Sequence, residues 1–112
     1  MKERRRFMRF KTSLKGVYKC LDGLPAIVKS TVLDISRGGL RLSDVTPLQK
    51  GLIVELMISV PGEGSPIVAF AQEVWSSRVG ETQYDKGLRF TKIASADRAK
   101  LIDYAYHKLT NS

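Results

Sequence analysis

Two groups of residues have types and spacings that could do chemistry. Arg5 and Arg9 form R-x-x-x-R in "RRFMR", while Asp34, Ser36 and Gly39 form D-x-S-x-x-G in "DISRGG". A guanidinium offers planar, forked donors that match phosphate oxygens or the O6 and N7 edge of guanine, and its flat face stacks on a base. A carboxylate meets the opposite need by accepting from paired N–H donors, such as N1 and N2 of guanine. Ser36, two residues after Asp34 on an extended chain, projects to the same side with a hydroxyl that donates or accepts. Gly39 lets a ligand approach the backbone and adopts dihedrals closed to other residues. Asp, Ser and Gly also build plain tight turns, so the second motif alone reads either as a turn or as a polar site.

The charge balance favours a site. Nineteen Lys and Arg against 11 Asp and Glu give a formal charge of +8, which suits an anionic partner such as nucleic acid, a nucleotide or a lipid headgroup. Lys2, Arg4, Arg5, Arg6, Arg9 and Lys11 crowd the first eleven residues, opposed only by Glu3. Taken alone, such a run is most simply a solvated basic tail. Residues 1–11 have little to bury and are expected to form an arm that stays mobile until a ligand holds it.

The rest of the chain must position these groups. At 112 residues, 43% hydrophobic and 27% charged, it suits one globular domain, placed at 12–112. Period-two alternation predicts strands over 14–21, 26–36, 39–43 and 52–60, and a hairpin of 67–79 with 83–90 around Gly80 and Glu81. "PGEGSP" at 61–66 is a turn. From Ser95, an expected N-cap, the spacing of Leu101, Ile102, Ala105 and Leu109 predicts a helix over 95–110. Six strands with short connections point to an all-β fold, a small antiparallel barrel with one C-terminal α-helix. Phe70, Trp75, Leu88 and Phe90 are expected in the core or barrel wall, and Met8 and Met57 in packing.

Several function classes find no support. One His and one Cys make no recognised metal site, no Ser, His and Asp grouping surrounds His107, and no Gly-rich phosphate loop opens a helix. These features argue against an enzyme and imply no cofactor. Cys20, the only cysteine, allows no internal disulfide and has no chemistry assigned. "MKERRRF" has no apolar stretch behind its charges, so neither a secretory signal nor a membrane span is expected, and a cytoplasmic location is the simplest reading.

Together, the two motifs resemble those of the PilZ domain, a bacterial receptor module for cyclic di-GMP. The likeness extends to "EVWSSR", "GLRF" and the closing helix, and so covers nearly the whole chain. It implies a PilZ-like split barrel whose basic arm wraps a ligand with two phosphates and two guanines, then signals to an unidentified protein partner. On this resemblance Arg4, Arg5, Arg9, Asp34, Ser36, Arg37, Gly38 and Gly39 are the expected ligand-binding residues, with Arg37 favoured over Arg41 for phosphate. Arg4, just before the motif, is the position that accompanies a stacked pair of ligand molecules in some members. Two other readings remain open: a small nucleic-acid-binding barrel, against which the strands show too few interleaved exposed aromatics, and a PilZ-type adaptor without ligand, whose members usually lack both motifs.

Overall fold

Alternating side chains give six strands, β1 (Phe10–Cys20), β2 (Val28–Ile35), β3 (Gly39–Asp44), β4 (Ile53–Ser59), β5 (Ile67–Arg78) and β6 (Tyr84–Ile93), followed by helix α1 (Ser95–Thr110). The computed structural model describes residues 8–21, 26–47 and 50–110. Every pairing is antiparallel, and the order β1-β2-β3-β6-β5-β4 closes as β4 returns to β1. Closure gives each of the six strands a neighbour on both sides, although residues 10–14 of β1 and 74–78 of β5 run past their pairing with β4. The expected barrel with one terminal helix is therefore the fold.

Inward side chains of all six strands, among them Leu14, Val32, Leu40, Leu56, Ala71 and Leu88, make one core. Helix α1 adds Leu101 and Ala105, both fully buried, with Ile102 partly so; the side chain of Leu109 lies outside the described part. The helix packs on β1 and β2, where Phe10 meets Tyr106 edge to face at 5.9 Å. Ser95 is its first residue and not its cap: the Arg98 amide donates to the Ala94 carbonyl at 2.9 Å, which makes Ala94 the capping position. Among the described residues no helix is long and apolar enough to cross a membrane.

β1 also starts earlier than its pattern predicts. Phe10 and Lys11 pair with Ile35 and Asp34, so the last two residues assigned to the arm belong to the sheet. The expected mobility of residues 1–7 lies outside the described residues.

Two interruptions of the ladder matter more than the strand ends. β2 pairs Val32 with Leu42 but Asp34 with Arg41, so Leu33 is an extra residue, and the bulge shifts every later side chain of β2 to the opposite face. Val32 and Ile35 both point inward, and Asp34 turns outward beside Arg41. In β5, Glu73 pairs with Leu88 but Trp75 with Gly87, so Val74 is extra in the same way. Without it Trp75 would continue the inward series Ile67, Ala69, Ala71 and Glu73; with it the indole lies outside and is 41% exposed. The expected core position of Trp75 is therefore corrected. Leu88 and Phe90 are buried as expected, Phe70 is half-buried, and Met57 is exposed on the outer face, not packed.

One end of the barrel holds inward polar groups that the sequence reading passed over. Lys86, fully buried, donates to a carboxylate oxygen of Asp44, to the Thr46 carbonyl and to the Tyr18 hydroxyl, the last at 3.3 Å. Burial, then the Asp44 carboxylate, pushes the Tyr18 phenol far up, so it stays neutral. Glu73 is 1% exposed, and neither of its carboxylate oxygens has a hydrogen-bond partner among the described residues. Burial raises its pKa, and the Gly51 backbone, Lys86 and Lys50 offset only part of this.

A pH dependence follows. Because the folded state holds the Glu73 proton more tightly than the unfolded chain, its contribution is complete below the ordinary carboxyl value of 4.5 and is lost as pH rises through the elevated folded pKa. Denaturant titrations of wild type and Glu73→Gln should diverge from about pH 4.5 upward until the folded pKa is passed, with a relative slope of up to about 1.4 kcal/mol per pH unit, and run parallel beyond it. Profiles parallel over the whole pH range would contradict a raised Glu73 pKa.

Candidate functional site

The outward turn of Asp34 brings the two motifs together. Arg9, just before β1, donates from Nη1 to Asp34 Oδ1 at 2.7 Å, and Arg41 of β3 donates from Nε to Asp34 Oδ2 at 2.9 Å. Arg41 also reaches Asp85 Oδ2 at 3.4 Å. The Asp34 side chain is 10% exposed, whereas those of Arg9 and Arg41 are 30% and 34% exposed. A carboxylate thus sits at the bottom, with two forked cations above it that remain open to solvent. Arg9, Lys11, Asp34, Arg41 and Trp75 line a groove of about 420 Å³ there.

Trp75 is placed by Gly87. A Cβ built on Gly87 would lie 2.1 Å from the indole Nε1, so the ring rests flat where β6 has no side chain. Because Gly87 pairs with Arg41 on one side and Trp75 on the other, Asp34, Arg41, Gly87 and Trp75 form one outward row across β2, β3, β6 and β5. Gly87→Ala is expected to push the indole off the sheet and shift its fluorescence emission to longer wavelength. Trp75 is the only tryptophan, so the signal is unambiguous, and an unchanged emission maximum would contradict this packing.

The glycine-containing turn differs in detail from its reading. Ser36 is 5% exposed; its hydroxyl accepts from the Gly39 amide and approaches the Gly39 carbonyl, both at 3.3 Å, while the Ser36 amide donates to that carbonyl at 2.8 Å. Ser36 therefore closes the turn. Gly39 has no positive φ; the described glycines that do are Gly51 and Gly62. What requires glycine at 39 is β6, since a Cβ would lie 2.0 Å from the Leu88 carbonyl oxygen. The Gly38 carbonyl accepts from the Phe90 amide at 2.9 Å, which ties the turn to the same strand.

Of the expected site residues, Arg9 and Asp34 meet directly, and Ser36, Gly38 and Gly39 form the adjoining turn. Arg37 is exposed on that turn and does not line the groove, so the cation beside Asp34 is Arg41. Arg4 and Arg5 lie outside the described residues. Lys11, Trp75 and Gly87 were not anticipated, although Lys11 falls within the basic run and a lone Trp followed by a Gly in the pairing strand was visible. No cluster of His, Cys, Asp and Glu able to hold a metal occurs among the described residues.

With three cations and two carboxylates, Asp85 included, the region suits a ligand that presents anionic groups outward and N–H donors inward. Comparisons agree on the architecture. The Bacillus subtilis inhibitor of motility MotI (DgrA) superposes with a TM-score of 0.78 at 21% identity, over 99% of this chain and 54% of that one. This chain thus spans about half the length of MotI. The PilZ domain of Escherichia coli YcgR, solved with c-di-GMP, gives 0.74 at 17% identity over 98% and 99% of the two chains. Borreliella burgdorferi PlzA in complex with c-di-GMP gives 0.64 at 20% identity over 92% and 41%. No curated protein sequence matches. The family model for the PilZ domain matches residues 3–107, from the arginine motif through most of α1, and the chain belongs to the PilZ domain family.

Proposed function

We propose that this chain is a cyclic di-GMP receptor that performs no chemical step and passes the ligand-bound state to a protein partner. The observation that carries this reading is the direct contact of Arg9, from the first motif, with Asp34, from the second, in a groove bordered by an outward Trp75. Family membership and the likeness to YcgR and PlzA, both solved with this dinucleotide, support it.

In this reading Asp34 accepts from N1 and N2 of one guanine, and the phosphates take Arg9 in its place. Arg4 and Arg5 join Arg9 around the phosphates, Arg37 and Arg41 add positive charge from the turn and from β3, and Trp75 offers its ring face to a base. The backbone at Ser36, Gly38 and Gly39 keeps the rim in shape. Arg4 supplies the extra cation that a stacked ligand pair requires, and holding residues 2–11 against the barrel is the signal.

Calorimetry with cyclic di-GMP, GTP and a short oligonucleotide tests the assignment. Saturable binding of the cyclic dinucleotide alone, with two molecules per chain and slower amide hydrogen exchange over residues 2–11, is the expected result. Binding of the oligonucleotide alone, or no binding, would overturn the receptor reading; unchanged exchange in the arm would overturn the switch.

A further inference from the structure

A second surface lies on the outer face of β1 and β4. Lys29, Val17, Met57 and Val68 form one row across β2, β1, β4 and β5, and Lys15 lies in the next row, between Thr31 and Ser59. Met57 and Val68 are 38% and 42% exposed. The groove over Val17 and Met57 measures about 730 Å³, larger than that at Asp34, and Lys15 and Lys29 flank it. Neither lysine lies within ion-pair distance of a carboxylate among the described residues, whereas the neighbouring Lys19 reaches Glu55 at 3.4 Å. Asp44 also borders the groove, but its carboxylate is buried against Lys86.

These features select the occupant. Beside this groove β1 is paired to β2 and β4, and β4 to β1 and β5, so no strand edge is free there and an incoming chain must be held by side chains. The part over Val17 and Met57 is aliphatic, Ser30, Thr31, Ser43, Ser59 and Gln83 border it, and no aromatic ring lines it on which a nucleobase could stack. The protein's own arm repeats the positive sign of the rim through Lys2, Arg4, Arg5 and Arg6, and a second copy of this face would set lysine against lysine. We infer that this groove docks an acidic segment of a partner protein, with one large apolar side chain seated over Val17 and Met57 and flanking carboxylates on Lys15 and Lys29. The inference specifies the partner contact of the receptor reading, yet it rests on this groove alone and is tested without nucleotide.

The probe is the capped peptide Asp-Glu-Leu-Phe-Glu-Asp, with its Asn and Gln counterpart as control, observed through the methyl NMR signals of Val17, Met57 and Val68. Saturable shifts at millimolar peptide are expected from the acidic form and not from the neutral one. The K15E/K29E variant, altered only at exposed side chains, should bind about tenfold or more weakly while the core methyl signals of Leu40 and Val54 stay in place. Absence of saturable shifts, equal binding of the neutral peptide, shifts centred on Arg9 and Asp34, or the same shifts from an oligonucleotide would each overturn the proposal. Shifts that appear on concentrating the protein alone would assign the face to a second copy and also overturn it.

Discussion

Asp34→Ala is expected to weaken cyclic di-GMP binding by about 100-fold or more while costing little stability. In the proposed complex the carboxylate accepts two N–H donors of a guanine, and each hydrogen bond to a charged group contributes about 1.5–3 kcal/mol. Its present partners are cheaper to lose. Arg9 and Arg41 are each about a third exposed, so water replaces much of what Asp34 supplies, and ion pairs of this kind contribute at most about 1 kcal/mol apiece. Arg41 also keeps its contact to Asp85. Calorimetry should therefore show binding lost, and thermal melting should show a domain still folded. Affinity within a few-fold of wild type would remove Asp34 from the site, and a collapse of stability would make it structural.

Lys86→Ala is expected to do the reverse, with a loss of about 3–5 kcal/mol of stability. The ammonium is fully buried, and its removal leaves the Asp44 carboxylate, 4% exposed, without its cation and the Thr46 carbonyl without its donor. One oxygen of Asp44 already lacks a partner among the described residues and the other would keep the Thr46 amide at 2.9 Å, a neutral donor that does not replace the lost cation. Against the roughly 5–15 kcal/mol that holds most domains together, this is a large fraction. The pair D44L/K86M separates an uncompensated charge from lost packing: apolar residues of similar volume should recover most of the loss. Chemical denaturation of the two variants decides it. A single variant within about 1 kcal/mol of wild type would contradict a buried pair.

The strands, the helix and the two motifs were legible because each rests on a local signal: alternation, helical spacing, or residue types that match a ligand's groups. The outward face of Trp75 was not, because counting by two cannot register an inserted residue, and Val74 is one. Leu33 has the same effect on Asp34, which the motif located and the parity of β2 would have buried. The contact of Arg41 with Asp34 was not legible, because it is set by the pairing of β3 with β2 and not by nearness in sequence. The Lys86 and Asp44 pair had a visible trace, since each continues an inward apolar series, Lys86 with Leu88 and Phe90, Asp44 with Leu40 and Leu42. At Gly39 the sequence suggested room for a ligand, while the Leu88 carbonyl of β6 is what a side chain there would meet, a neighbour that only the pairing of β3 with β6 supplies.

The β3 to β6 pairing also has a kinetic meaning. It joins Gly39–Asp44 to a strand reached only after β4 and β5, and its buried ion pair links residues 42 positions apart. Searching for such distant partners costs chain entropy before any contact repays it, which puts refolding in the millisecond-to-second regime of β-rich domains. Gly39 sits on that junction against the Leu88 carbonyl, so the motif glycine beside the Asp34 groove also lies where the chain completes its ring.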